Sequence, residues 1–241
     1  MLRLVRSFRR RFRGLAQKGL RELLARSYLR GRGLEIGGLH NPLRVPRSAR
    51  VTYVDRLGVA QLRQHYPELA DQPLVPVQVQ DDGERLGRFA DRSQDFIIAN
   101  HFLEHCQDPI GTMDHFFRVL RPGGTLYLAV PDKRFTFDRD RPVTPLEHLI
   151  RDHEEGPQWS RRQHFEEWTR LVNKVADPAA AEAEIDRLMA MDYSIHYHVW
   201  TQVEFLQFLG WMQRRQQFDM ELFLRNGEEL IVILRAAGDG Q

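Results

Sequence analysis

Residues 94–131 read QDFIIANHFLEHCQDPIGTMDHFFRVLRPGGTLYLAVP, and this stretch decides the fold. Two short apolar runs, Phe96 to Ala99 and Thr125 to Val130, stand near its two ends. Between them, Asp108-Pro109 supplies a capping side chain and a first-turn proline for a helix that Pro122-Gly123-Gly124 stops. Runs that are apolar throughout are typical of strands buried on both faces of a parallel sheet. The stretch therefore predicts a strand, a helix and a second, parallel strand.

Similar apolar runs occur before and after residues 94–131. Three further apolar runs precede it, each followed by glycine or an acid: Leu34 to Ile36 before Gly37-Gly38, Val51 to Val54 before Asp55, and Leu74 to Val79 before Asp81-Asp82-Gly83. Near the end of the chain, Phe218 to Leu224 and Leu230 to Leu234 flank Asn226-Gly227, a strong hairpin signal. We therefore predict an α/β fold with a Rossmann-like, doubly wound seven-stranded sheet and an antiparallel C-terminal hairpin strand.

Length and composition favour an ordinary globular protein. The 241 residues fit one large domain with an insertion. A single cysteine, Cys106, excludes an intrachain disulfide and a multi-cysteine zinc site, so we expect a cytoplasmic protein. Residues 33–241 carry 24 Lys and Arg against 32 Asp and Glu, which is the wrong sign for a nucleic-acid track.

The N-terminal arm has the opposite charge. Residues 1–32 contain eleven Lys and Arg and one acid, Glu22. The spacing of Leu4, Phe8, Phe12 and Leu15 predicts a basic amphipathic helix. Two interpretations stay open: the helix covers an edge of the domain, or residues 1–30 bind a negatively charged surface, either an acidic partner or, as a peripheral contact, the inner face of a membrane. A third interpretation is that this Arg-rich, acid-poor segment is an organelle transit peptide.

Residues 132–200 depart from the strand and helix rhythm. The segment is too long for a connection in a compact domain, and we interpret it as a helical cap over a substrate. Helices are predicted near 145–152, 164–175, 179–191 and 202–213, with capping boxes at 144–147 and 201–204. The expected organisation is an arm (1–32), a cofactor-binding half (33–131), the cap (132–200), and a closing helix and hairpin (201–241).

Ligands of such sheets bind beyond the carboxyl ends of the strands. Gly37-Gly38 lets the backbone approach a ligand closely, and Asp55 ends the second strand where an acid can accept hydrogen bonds from a ribose. Asn41 is a residue of the first loop that can adopt a left-handed conformation.

The ordered series of motifs resembles the class I S-adenosylmethionine-dependent methyltransferases, and within them the type 11 methyltransferase domain. The resemblance covers residues 34–131, and it rests on the blocks LEIGG (34–38), YVD (53–55), DGERL (82–86), QDFIIANHFLEH (94–105) and RVLRPGGTLYLAVP (118–131). The first loop departs from the family, because Leu39-His40-Asn41-Pro42 follows Gly37-Gly38 in place of further glycines.

The resemblance implies S-adenosylmethionine as the cofactor and assigns its contacts. Glu35, Gly37 and Gly38 are expected at the methionine end, and Asp55 at the ribose hydroxyls. Asp82 and Gly83 are expected at the adenine edge.

Asn100 and His101 are expected to face the methionine and the transferring methyl group. Methyl transfer to a hydroxyl needs a base, and His101, His196 and His198 are the three catalytic candidates. We expect an oxygen nucleophile on a small-molecule or glycan-linked acceptor. The glycan suggestion comes from a resemblance of the cap to methyltransferases of bacterial cell-surface polysaccharide pathways.

His101, Glu104 and His105 form a His-x-x-Glu-His pattern, which puts three ligand-type side chains on one helix face. In this family the Glu-His pair is mostly structural, so no metal is expected. Two alternatives in function stay open. The irregular first loop allows a non-catalytic cofactor-binding or scaffold protein of the same fold. An NAD-dependent oxidoreductase shares the sheet, but the chain lacks Gly-x-Gly-x-x-Gly.

Overall fold

The computed structural model describes the backbone of residues 2–238 and the side chains of residue 14 and of residues 16–238. Within this part of the chain, seven strands form one sheet: β1 (Gly31–Ile36), β2 (Ala49–Asp55), β3 (Val79–Gln80), β4 (Gln94–Asn100), β5 (Leu120–Pro131), β6 (Phe218–Asn226) and β7 (Glu229–Ala236). Their order is β3-β2-β1-β4-β5-β7-β6. Strands β1 to β5 are parallel, and β7 is antiparallel to both β5 and β6. The predicted fold class is confirmed.

One strand prediction is wrong in extent. The run from Leu74 to Val79 yields only the two-residue strand β3, because Pro76 has no N–H to donate to a ladder. The Gln78 N–H still donates to the Tyr53 carbonyl at 3.0 Å, so the segment follows β2 before pairing begins.

Seven α-helices accompany the sheet in the described residues: α1 (Leu2–Tyr28), α2 (Val59–His65), α3 (Pro109–Val119), α4 (Leu146–Glu155), α5 (Gln158–Glu167), α6 (Pro178–Ala190) and α7 (Gln202–Arg215). The predicted capping box of α7 is confirmed at Thr201 and Glu204. The predicted box at 144–147 is wrong. Pro145 is the N-cap of α4, and the Thr144 hydroxyl accepts instead from the Val199 N–H at 3.0 Å.

The sheet buries two apolar faces because its strands alternate between them. Ile97 and Leu128 belong to the core on one face, which α3 and α7 cover. Ile98 and Tyr127 belong to the core on the other face, where residues of α1 pack.

Helix α1 is therefore in part a core element. Leu24 and Ala25 of α1, and Leu29 directly after it, are buried against the sheet. The Arg21 guanidinium makes a two-pronged ion pair with Glu229 of β7. The apolar positions Leu4, Phe8, Phe12 and Leu15 lie outside the described side chains. No helix of the described residues is long and apolar enough to span a membrane.

The segment 132–200 has its own small core. Phe165, Ile185, Leu188, Ile195 and Tyr197 pack together. The segment joins the carboxyl end of the sheet where the Tyr197 N–H donates to the Glu104 carbonyl at 2.7 Å. It thus brings cap side chains to the sheet edge at which ligands of this architecture bind.

Candidate functional site

The carboxyl ends of three strands meet where the strand order reverses. Ile36, the last residue of β1, pairs with Val54 of β2 and with Ala99 of β4. Gly37, Asp55 and Asn100 follow these positions directly and therefore lie along one edge. Two surface cavities of about 530 and 590 Å³ lie elsewhere, lined in part by residues 91–92 and 121–124 near the opposite ends of the strands.

The first loop leaves open space beside its backbone. Gly37 has φ +62°, and a Cβ on it would meet only Phe102, at 4.0 Å. The left-handed non-glycine residue here is Leu39, with φ 44°, and Asn41, which can adopt this conformation, does not. The loop therefore turns at two left-handed residues and exposes the Gly37 backbone to a ligand.

Glu35 fixes this loop from the sheet. Its Oε1 accepts from the Leu43 N–H at 2.8 Å, and its Oε2 is buried without a partner among the described residues. Burial raises the pKa of Glu35 to about 7, although the Leu43 N–H and the charge of Arg21 act in the opposite direction. The carboxylate thus supports the loop backbone, and a contact of Glu35 with the methionine end of the cofactor stays a prediction.

Asp55 and the turn at 81–84 border the edge on the β2 and β3 side. The Asp55 Oδ1 accepts from the Leu57 N–H at 3.2 Å, and burial raises the Asp55 pKa. Asp82 closes its turn by accepting from the Glu84 N–H at 2.9 Å. A Cβ on Gly83 would lie 2.7 Å from atoms of both Ile36 and Phe102, so no side chain fits there.

Asn100, the last residue of β4, has a side-chain amide whose hydrogen-bonding capacity is unsatisfied in the described residues. Its side-chain nitrogen and oxygen are both buried, and neither has a hydrogen-bond partner in the described part of the chain. A buried amide without partners costs about 1–3 kcal/mol per unsatisfied group. A polar ligand at the tip of β4 would remove this cost.

His101 adopts a left-handed backbone conformation, with φ 50°, and its N–H donates to the Ala129 carbonyl at 2.7 Å. Its Nδ1 lies 3.3 Å from Glu104 Oε1, and its Nε2 lies 3.1 Å from Glu229 Oε2. Burial lowers the pKa of His101, but the hydrogen bonds and charges of Glu104 and Glu229 outweigh it and raise this pKa to about 9. The imidazole is therefore a cation at neutral pH.

His196 comes to the same region from the cap. Its Nδ1 lies 2.7 Å from Asp138 Oδ2, and its ring meets the His105 ring edge-on at 4.7 Å. Arg141, fully buried, pairs with Asp138 at 3.2 Å and donates to the His196 carbonyl at 2.6 Å. Burial raises the pKa of Asp138, but His196 and Arg141 outweigh it and lower this pKa. The Asp138 carboxylate therefore stays ionised beside the ring.

His198 lies elsewhere in the cap. Its side chain is fully buried between α4 and α5, with Nε2 3.6 Å from Asp152 Oδ2. The structure thus brings His101 close to Glu104, and His196 close to Glu104 and His105, whereas the His198 side chain groups with His148, Asp152 and His164.

Glu229 and Asp138 are the site residues that the sequence analysis missed. Glu229 lies in the C-terminal hairpin, and Pro131 of β5 pairs with it. The predicted hairpin strand was the available signal, because a strand antiparallel to β5 begins at the edge where β5 ends. Asp138 lies in a short helical turn, and no periodicity marks it.

This sheet order, with one antiparallel strand, is that of the class I S-adenosylmethionine-dependent methyltransferases. A sequence family described as "Methyltransferase domain" matches residues 7–183, and the chain belongs to this family. It is an S-adenosylmethionine-dependent methyltransferase, and this excludes the oxidoreductase alternative. No curated protein matches the sequence significantly.

Solved structures of low sequence identity are similar to this chain. A chain of the Haloferax volcanii complex between the Trm112 methyltransferase activator and a methyltransferase has a TM-score of 0.50 at 15% identity, with 92% of this chain and 89% of that chain covered. A SAM-dependent methyltransferase from Thermotoga maritima has a TM-score of 0.48 at 16% identity, with 97% and 96% covered. The CurJ carbon methyltransferase has a TM-score of 0.46 at 16% identity, with 87% of this chain and 49% of that chain covered. This chain therefore spans about half the length of the CurJ chain.

The strand tips fit the cofactor of this class. The open side of Gly37 leaves room for a ligand, and the unpaired Asn100 amide offers a donor and an acceptor. Asp55 offers a carboxylate at the end of β2, the position from which ribose hydroxyls are bound in such sheets.

Proposed function

We propose that this methyltransferase methylates an oxygen nucleophile on a small-molecule or glycan-linked acceptor, with His196 as the general base. The observation that carries this proposal is the 2.7 Å contact between His196 Nδ1 and the buried Asp138 carboxylate. An Asp paired with Nδ1–H fixes the tautomer that leaves Nε2 free to accept a proton.

The other two candidate histidines suit this role less well. His101 is already protonated at neutral pH, because its pKa is raised to about 9 between Glu104 and Glu229. The His198 side chain has no exposed surface, whereas 10% of the His196 side chain is exposed, so an acceptor hydroxyl reaches only His196 of these two. A general base must lie within hydrogen-bond reach of the proton that it removes.

The surroundings of His196 favour an acceptor that contains a sugar. Phe137 is 54% exposed, and its ring lies 4.9 Å from the His196 ring. Trp168 meets both rings at 5.6 Å. Exposed aromatic faces beside a polar group can stack on the apolar face of a sugar while its hydroxyls bond to the polar group.

The cofactor supplies an activated methyl group on a sulfonium. In the proposal, Gly37, Gly38 and Glu35 hold its methionine end, Asp55 its ribose, and Asp82 with Gly83 its adenine. Asn100 orients the methionine portion from the tip of β4. The chain's own part in the reaction is to align the acceptor oxygen and to remove its proton.

Two measurements test the proposal. Calorimetry should detect binding of S-adenosylmethionine and S-adenosylhomocysteine. A screen of phenols, sugars, glycolipid precursors and amines, read by formation of S-adenosylhomocysteine, should then give turnover with hydroxyl acceptors. Turnover with amines alone would overturn the choice of oxygen. Cofactor binding without turnover on any acceptor would favour a cofactor-binding scaffold.

We also propose that residues 1–30 contact an anionic membrane surface. The excess of basic residues over Glu22 supports this contact, and the packing of Leu24, Ala25 and Leu29 fixes one end of α1 to the domain. Co-sedimentation with vesicles of phosphatidylglycerol should exceed that with phosphatidylcholine and fall when Arg6, Arg9 and Arg10 are changed to Gln. Equal sedimentation with both lipids would overturn the proposal.

A further inference from the structure

Four ligand-type side chains converge inside the cap. His148 and Asp152 lie one turn apart on α4, His164 lies on α5, and His198 lies on the segment that returns to the sheet. One ligand atom from each of the four lies within 4.8 Å of the others. Asp152, His164 and His198 are buried, and His148 is half-buried.

The distances match the coordination sphere of a small metal ion. His148 Nε2 lies 3.1 Å from His164 Nε2 and 3.2 Å from Asp152 Oδ2. His198 Nε2 lies 3.6 Å from the same Asp152 oxygen. Tetrahedral zinc, with bonds of about 2.0–2.1 Å, holds its ligand atoms about 3.3 Å apart.

The hydrogen bonds of the protein do not satisfy this group. The buried Asp152 Oδ2 accepts no hydrogen bond in the described residues, although the Nε2 atoms of His148 and His198 lie 3.2 and 3.6 Å from it. The two Nε2 atoms of His148 and His164 face each other, so one of them must act as a lone-pair acceptor. Buried polar groups are usually paired, and a cation bound to Asp152 Oδ2 and to the converging Nε2 atoms would satisfy the carboxylate oxygen and these ring nitrogens together.

A neighbouring side chain orients the carboxylate toward the histidines. The Ser160 hydroxyl donates to Asp152 Oδ1 at 2.8 Å, which leaves Oδ2 directed into the group. Supporting hydrogen bonds of this kind orient the ligands in metal sites.

We propose that His148, Asp152, His164 and His198 bind one divalent transition-metal ion, for which this donor set favours zinc, and that the ion joins α4, α5 and the returning segment of the cap. Four protein ligands close the coordination sphere, as in structural sites. The site is separate from the proposed methyl-transfer chemistry, and it was not predicted from the sequence.

A second group, Glu104, His105 and His196, offers three ligand atoms within the same distance. Its two histidines have hydrogen-bond partners of their own, the Ile195 carbonyl for His105 and the Asp138 carboxylate for His196, while Glu104, like Asp152, is buried beside a histidine without a hydrogen bond in the described residues. The group in the cap offers four ligand atoms against three and is therefore the better site, and the test separates the two.

The test is metal analysis of the full chain, purified without a histidine tag and dialysed after exposure to zinc. We expect about one zinc ion per chain in the wild type. H164Q and D152N should reduce this content at least about fivefold, in line with the 10- to 100-fold affinity losses seen even for changes beside metal ligands. The control H115Q changes a histidine outside both groups and should keep the metal.

Cobalt provides a readout that needs no variant. Cobalt(II) bound to the wild type should show the intense visible absorption of a tetrahedral site, and a chelator should abolish it and lower the melting temperature. Wild-type protein that retains no metal, or only the weak absorption of octahedral cobalt, would overturn the proposal. So would zinc that persists in H164Q and D152N but is lost in H105Q, because that result places the ion in the second group.

Discussion

His101 Nε2 lies 3.1 Å from Glu229 Oε2, across a separation of 128 residues. The contact joins the tip of β4 to the start of β7, and Arg21 of α1 holds the same carboxylate from the other side. A cationic imidazole beside the proposed cofactor edge is therefore built by three distant segments of the chain.

The first prediction concerns this ion pair. E229Q should lower the pKa of His101 from about 9 by about one unit or more, since an opposite charge at this distance typically shifts a pKa by 1–3 units. The His101 pKa is raised in the folded state, so its stabilising effect is full below about pH 6.5 and is lost as pH rises through about 9. NMR titration of labelled histidine, with unfolding measured from pH 6.5 to 9.5, checks both effects.

E221Q is the matched control, because Glu221 pairs with Arg235 on the same hairpin. An unchanged His101 titration in E229Q would show that Glu229 does not set the charge of the ring.

The residues at the strand tips could be predicted from the sequence, because each of them follows an apolar run. Gly37, Asp55 and Asn100 could be placed at one edge once the runs were assigned to parallel strands. The pairing of Glu229 with His101 could not, because it depends on the register of β7 against β5. Register is set by packing across the whole sheet and not by residues near Glu229.

In the cap, too, the sequence did not predict which side chains come into contact. Histidine spacing along the chain gave His196 and His198 equal standing as bases, yet their side chains have different neighbours, Asp138 and Asp152. Residues two apart in an extended segment share one side, so the spacing of His196 and His198 did not predict different neighbours, and only the packing of the cap separates them.

The second prediction concerns Asn100. N100A should weaken binding of S-adenosylhomocysteine about 10-fold, which corresponds to the roughly 1–1.5 kcal/mol of an ordinary hydrogen bond. The cofactor-free protein should not be destabilised, because the amide has no hydrogen bond to lose in the described residues and its unpaired groups carry a cost that alanine removes. Calorimetry and thermal unfolding check the two expectations. The exposed Asn173 supplies the control N173A, and equal affinity in N100A and N173A would exclude the proposed contact.

The third prediction compares two glycines. A Cβ on Gly83 would lie 2.7 Å from Ile36 and Phe102, so G83A should destabilise the protein by about 1–3 kcal/mol and weaken cofactor binding. Gly210 lies within α7 with nothing near its Cβ position, so G210A should stabilise by about 0.5–1 kcal/mol. Denaturant unfolding checks the opposite signs. Equal effects of the two changes would mean that the turn at Gly83 relaxes freely.

The last prediction concerns the orientation of His196. The Asp138 carboxylate pairs with Nδ1 of the His196 ring, and the Arg141 guanidinium donates to the His196 backbone carbonyl. One contact therefore fixes the side chain and the other fixes the main chain. D138N should disturb the tautomer and lower kcat about 100-fold or more with a hydroxyl acceptor, while KM and the affinity for S-adenosylhomocysteine stay nearly constant. The control D140N removes a nearby exposed carboxylate that pairs with Lys174. Steady-state kinetics separates the cases: a rise in KM with unchanged kcat would assign Asp138 to acceptor binding, and parallel losses in D138N and D140N would point to a general disturbance of the cap.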